Sequence, residues 1–202
     1  GEVIFSTLLL GFMPTVFFQK PEETELETAQ RKVAELEAEL GPDHLDLVES
    51  LDALSMIYYR QAQYGKAEEV CRQTLAIQEK AHGPEHPNVG RMLNNLALLR
   101  ADQGFYAEAR PLYERVLVIY RNTYGAEHSE VANTLNNLAL LLVDQGSYAE
   151  ALSLHEQALA IRKKILGLEH PSVAQSINNL ASLLEKQGSY AEALSLHKQA
   201  LA

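Results

Sequence analysis

The chain has 202 residues, 47% of them hydrophobic and 22% charged, with one Cys, no Trp and a formal net charge of −10. A disulfide-stapled fold needs paired cysteines and a disordered chain would carry fewer apolar side chains at this charge, so a soluble, self-burying fold is implied. The acidic balance argues against a surface that tracks phosphates with Lys and Arg, which removes nucleic acid from the expected partners.

The first segment, residues 1–20, is apolar. From Val3 to Gln19 no side chain is charged. Seventeen residues fall short of the roughly 20 that span a hydrocarbon core, and neither a basic stretch before them nor a small-x-small cleavage site after them marks a signal peptide. Because the chain opens on Gly1 rather than Met, the stretch is expected to be the tail of a longer signal or anchor. The competing expectation is an apolar segment covering the first helix face behind it. Contact with a membrane is expected only through residues 3–19.

Residues 21–40 invert that character. Seven Glu against Arg31 and Lys32 leave −5 between Glu22 and Leu40, half of the formal charge of the chain. Leu26, Ala29, Val33, Leu36 and Leu40 recur at spacings of three and four, which predicts an amphipathic helix with a solvated acidic face. Gly41-Pro42 ends it.

From residue 41 to the end the chain repeats itself with a period of 42, and this self-similarity decides the fold. Gly41-Pro42-Asp43-His44, Gly83-Pro84-Glu85-His86, Gly125-Ala126-Glu127-His128 and Gly167-Leu168-Glu169-His170 stand at that interval. Leu-Asn-Asn-Leu-Ala recurs as Leu93 to Ala97 and Leu135 to Ala139, and as Ile177 to Ala181 with Ile in the first place. Gln-Gly-x-Tyr-Ala-Glu-Ala recurs from Gln103, Gln145 and Gln187, while the first copy reads Gln61-Ala62-Gln63-Tyr64. The copies fall near 41–82, 83–124, 125–166 and 167–202.

Each copy predicts two helices. Helix A opens after His-Pro or His-Ser, where the missing amide hydrogen of Pro87 or Pro171 is harmless in a first turn. Gly104, Gly146 and Gly188 supply the positive φ of a sharp turn, and helix B begins near Tyr106, Tyr148 or Tyr190. Small Ala109, Ala151 and Ala193 allow close helix approach. One such hairpin cannot bury both apolar faces, so stacked neighbours create the core.

These motifs resemble tetratricopeptide repeats of the 42-residue kind found in kinesin light chains. The small residue within helix A is matched by Ala97, Ala139 and Ala181, and the aromatic opening helix B by Tyr64, Tyr106, Tyr148 and Tyr190. The resemblance covers roughly residue 41 onward and implies an all-α, right-handed superhelical solenoid of antiparallel helix pairs. The heptad coiled coil of light chains is not seen, so a motor function is not implied. A stop inside helix B of the fourth copy predicts a section of a longer array.

The resemblance also implies a protein or extended-peptide partner lying in a concave groove lined by the A helices. By register the groove positions are Glu49, Arg91, Asn133 and Gln175, then Asp52, Asn94, Asn136 and Asn178, then Met56, Leu98, Leu140 and Ser182, then Arg60, Asp102, Asp144 and Lys186. A primary amide both donates and accepts, so Asn94, Asn136 and Asn178 are expected to hold a peptide backbone. Helix layers roughly 10 Å apart and an extended chain advancing about 3.3 Å per residue give one grip at about every third residue. The second Asn of each pair, Asn95, Asn137 and Asn179, is expected to hydrogen-bond the neighbouring helix. Leu98 and Leu140 offer an apolar floor; Arg60, Arg91 and Lys186 favour an acidic ligand, which Asp102 and Asp144 oppose, so no ligand charge is predicted.

His44, His86, His128 and His170 recur once per repeat, a spacing that spreads them out and leaves no metal site, since a metal needs its ligands around one ion. Cys71, Tyr113, His155 and His197 share one helix B station and are expected to be packed interface residues. No phosphate loop or asymmetric catalytic cluster stands outside the repeat pattern. The expected function is therefore a non-enzymatic interaction module without cofactor, metal or small-molecule substrate. Its expected location is the cytoplasm; a membrane-tethered or exported scaffold, or a non-catalytic part of a larger protein, is the alternative.

Overall fold

A computed structural model describes residues 24–200. The apolar segment 1–20, with its expected signal or packing role, lies outside them. Among the described residues no helix is long and apolar enough to cross a membrane.

The acidic run forms α1 (Glu25–Leu40). Thr24 Oγ1 accepts the Glu27 backbone N–H at 3.2 Å, and the Glu27 carboxylate accepts the Thr24 backbone N–H at 2.9 Å. This reciprocal cap satisfies two donors that a helix start otherwise leaves open. The predicted stripe faces the first repeat: Val33 is buried, and Leu26, Ala29 and Leu36 pack around the same cluster.

Four helix pairs follow. A 3-10 turn (Leu45–Leu47) leads into α2 (Val48–Arg60), which pairs with α3 (Tyr64–His82). The other pairs are α4 (Pro87–Asp102) with α5 (Tyr106–Tyr124), α6 (Ser129–Asp144) with α7 (Tyr148–Leu166), and α8 (Pro171–Lys186) with α9 (Tyr190–Ala200). Each helix packs on its sequence neighbours, so the pairs stack in a row as an all-α right-handed solenoid of antiparallel pairs. Ala97, Ala139 and Ala181 of the A helices and Ala109, Ala151 and Ala193 of the B helices are buried, as close approach requires. Leu93, Tyr113, Ile119, Leu135 and Leu142 fill the core between pairs.

The connections explain the repeated tetrapeptides. The helices α1, α3, α5 and α7 each end at a glycine, at φ 85° for Gly83 and 87° for Gly125. The histidine three residues later then starts helix A. Nδ1 of His44, His86, His128 and His170 accepts the backbone N–H two residues on, at 3.3, 3.2, 3.2 and 3.1 Å. The recurring histidines are helix caps, a role their sequence spacing did not disclose. Among the described residues no three His, Cys, Asp or Glu side chains converge on a metal position.

The A-to-B turn holds Gly104, Gly146 and Gly188 at φ 77–82°. In the first copy the same station is Ala62 at φ 56°, a left-handed conformation that costs a residue with a Cβ roughly 1–2 kcal/mol. Gly90 has a different reason. A Cβ there would lie 2.7 Å from the ring of Tyr120, so only glycine admits that buried aromatic against α4.

Candidate peptide-binding groove

The 42-residue register sets like stations of α2, α4, α6 and α8 beside one another, and polar contacts join them across repeats. Arg91 of α4 donates to the Asp52 carboxylate of α2 at 2.6 Å. Asn137 Nδ2 of α6 donates to Asn94 Oδ1 of α4 at 3.2 Å, and Asn179 Nδ2 of α8 donates to Asn136 Oδ1 of α6 at 2.7 Å. The second Asn of one pair thus holds the first Asn of the pair before it.

That ladder changes what the first Asn offers. The carbonyls of Asn94 and Asn136 already accept within the array, and Asn136 is buried. Asn94 is half-buried, so of these two amides it is the more accessible. Asn178 is exposed, and its Oδ1 lies 3.1 Å from Nδ1 of His197.

Five predicted groove residues meet in one polar crevice of about 350 Å³ between α4, α6 and α8: Arg91, Asn94, Asn133, Asn136 and Gln175. Leu98 instead lines a smaller apolar cavity of about 60 Å³ with Met56, Tyr59 and Cys71. Asn178, Leu140 and Lys186 line neither of these spaces. At the third station Met56, Leu98 and Leu140 stand 54%, 40% and 44% exposed, an apolar row running beside the amides.

Several groove charges are already engaged. Arg60 pairs with Glu25 of α1. Asp102 accepts the Tyr59 hydroxyl at 2.5 Å; that hydrogen bond, with burial and the carboxylate's charge, pushes the Tyr59 phenol up to about 12. Among the described residues Lys186 and Asp144 make no ion pair, and both are exposed.

The A-helix register does not include Arg162 of α7, which also lines the crevice. Its side chain is buried and reaches the crevice from helix B. Nη1 donates to Ser176 Oγ at 2.6 Å and to the Ser172 carbonyl at 3.4 Å, while Nη2 donates to Asn133 Oδ1 at 2.9 Å. Burial lowers the pKa of its guanidinium. The equivalent stations hold Gln78 and Tyr120, so the signal was a change to Arg at one B-helix position. Tyr120 and Glu130 also line the crevice.

The shared B-helix station is buried in three copies. Cys71 Sγ lies 3.0 Å from Ser55 Oγ, and burial pushes its thiol up, which suppresses the reactive thiolate. Tyr113 fills the station in the second repeat. His155 fills it in the third at 1% exposure, with both ring nitrogens lacking a partner. Burial, then the charge of Arg162, lowers its pKa to about 4. His197 departs from the pattern: it is partly exposed and lies 3.3 Å from Glu185, because no further described helix covers it.

Known proteins place this architecture. Tetratricopeptide repeat models match residues 89–164 and 130–202, and a second tetratricopeptide repeat model matches residues 47–88. The fold is similar to BtubC (BKLC) from P. vanneervenii, at 26% identity and TM-score 0.77, covering 88% of this chain and 72% of that one. It is also similar to a kinesin light chain candidate from Podosopora anserina with nearly identical TPR-like repeats, at 31% identity and TM-score 0.73, covering 87% of this chain and 83% of that one. A Rap protein complexed with competence and sporulation factor shares the fold at 18% identity and TM-score 0.71, covering 87% of this chain and 47% of that one. No curated protein sequence matches the chain. With the repeat models spanning residues 47–202, the chain belongs to the tetratricopeptide repeat family, and its 42-residue repeats are kinesin light chain-like.

Proposed function

We propose that this array is a non-catalytic protein-interaction module that holds an extended peptide, or an extended segment of a partner protein, along the A-helix groove. One observation carries the proposal: a polar crevice built from Arg91, Asn94, Asn133 and Gln175 continues beside an exposed apolar row of Met56, Leu98 and Leu140. Large apolar side chains stand about half exposed at this station in the first three repeats, where that exposed surface faces solvent. They match a chain that advances about 3.3 Å per residue across layers roughly 10 Å apart, placing every third residue over the row. The amides bind backbone without selecting sequence, and the apolar row selects it. The proposed location is the cytoplasm.

The test uses a peptide selected on an array with the full chain. Leu98→Ser with Leu140→Ser, both exposed, is expected to weaken binding at least tenfold with an unchanged circular dichroism spectrum. Replacing Asn94, Asn136 and Asn178 by Ala is expected to weaken it as well, with some loss of stability from the broken ladder. Affinity within twofold of the parent in both variants would refute groove binding.

A further inference from the structure

We propose that the crevice where α2 begins, beside α3 and α4, is a primary-ammonium site, filled by a lysine side chain of the groove-bound segment; this rests on the groove function above. The crevice has a volume of about 400 Å³ and is lined by Asp46, Glu49 and Gln78 together with Leu45, Val48, His82 and Asn88. Asp46 and Glu49 stand three residues apart on one face of the turn that opens α2, and both are exposed. Among the described residues no Lys or Arg pairs with either: Lys80 is engaged by Asp43 at 2.7 Å and Arg91 by Asp52 at 2.6 Å. His44 Nδ1 lies 3.7 Å from the Asp46 carboxylate, but that nitrogen already accepts the Asp46 backbone N–H and has no proton to share. Gln78 is an independent sign of a missing donor. It is 3% exposed, and its Oε1 has no hydrogen-bond partner, a costly state for a buried carbonyl.

The third repeat shows what this junction accommodates. Two periods on, the stations of Asp46, Glu49 and Gln78 hold Glu130, Asn133 and Arg162, and there the Arg162 guanidinium donates to Asn133 Oδ1 at 2.9 Å. The third repeat thus carries its own cation at the junction. The first repeat has the shorter, neutral Gln78 in its place, and a carboxylate, Glu49, where Asn133 accepts. A cation from outside supplies the missing charge. A primary ammonium suits the acceptors, with three N–H donors for two carboxylates and the Gln78 carbonyl, whose two-fold terminal torsion lets the oxygen turn to the crevice. Its methylene stem can lie on Leu45, which is 39% exposed. The start of α2 opposes a cation with about half a positive charge, less than the two carboxylates offer.

The test titrates the isotope-labelled chain at pH 7.5 with N-acetyl-lysine N-methylamide, its Nε-acetylated form, the arginine counterpart and calcium chloride, followed by NMR at the Gln78 side-chain amide and the Glu49 backbone N–H. The lysine probe is expected to bind about tenfold more tightly than its acetylated form, and more tightly than the arginine probe or calcium. Glu49→Gln alters an exposed side chain and is expected to weaken lysine-probe binding, again about tenfold. Gln78→Arg places the cation in cis, as the third repeat has it, and is expected to raise the melting temperature and abolish the lysine response. Equal affinity for the lysine and acetyl-lysine probes, or undiminished binding in E49Q, would overturn the site; tighter binding of calcium or of the arginine probe would overturn the assignment to a lysine ammonium. If the array-selected peptide loses affinity in the Leu98/Leu140 variant while the lysine probe stays silent, the ammonium site alone falls. If the probe binds and no peptide responds to that variant, groove binding of peptides falls and the crevice is a site for a free amine.

Discussion

Acidification should destabilise this array through one buried imidazole. His155 has 1% exposure and no hydrogen-bond partner for either ring nitrogen, and burial followed by the Arg162 charge lowers its pKa to about 4. In the unfolded chain the same ring titrates near 6.5. Above that value both states are neutral at this position and stability is unaffected. As pH falls from 6.5 toward 4 the unfolded chain takes up the proton and the folded chain does not, so stability is progressively lost, and the loss levels off below pH 4. At 1.36 kcal/mol per pH unit of difference, the full loss is about 3 kcal/mol. The assay is urea unfolding of the parent and His155→Phe at pH 7.5 and pH 4.5. Phe removes the titration and both unpartnered nitrogens from a station that Tyr113 fills in the preceding repeat. The other histidines are common to both proteins, so their titrations cancel in the comparison. The parent should lose about 2–3 kcal/mol more than the variant on acidification. Parallel losses would show that the buried ring is not the group that responds.

Two further outcomes follow from the repeat geometry. Ala62→Gly relieves the left-handed strain that the other copies avoid, and should stabilise the chain by about 0.5–1 kcal/mol after the extra freedom glycine gives the unfolded state; a lowered urea midpoint would contradict the strain assigned to φ 56°. His128→Ala removes the Nδ1 acceptor that caps α6 at 3.2 Å and should cost about 1 kcal/mol, whereas His128→Asn, a good capping residue, should retain most of it. Equal melting temperatures for these two variants would show that the ring packs without capping.

Local pattern carried most of the architecture. The period of 42, the glycines at the A-to-B turn and the small alanines at helix crossings specify hairpins whose apolar faces must stack, and those constraints act within a few turns of chain. The acidic helix was legible in the same way, from a stripe at spacings of three and four. The histidine caps were missed because Ser, Thr, Asp and Asn are the usual residues that supply a capping acceptor, and nothing in a 42-residue recurrence tells a cap from a loop residue.

The site depends on longer range. Asn137 reaches Asn94 and Asn179 reaches Asn136 across 43 positions, contacts set by how far each hairpin turns and shifts on the one before it. The sequence by itself determined that amides and apolar side chains recur on the A helices. Only the stacked structure decided that the amides spend their carbonyls on each other, that Asn136 is covered while Leu98 and Leu140 are not, and that an arginine from helix B enters the crevice without an acidic partner. Helix periodicity is a property of neighbours in the chain; hydrogen bonding and charge compensation between repeats are properties of the rotation that relates them.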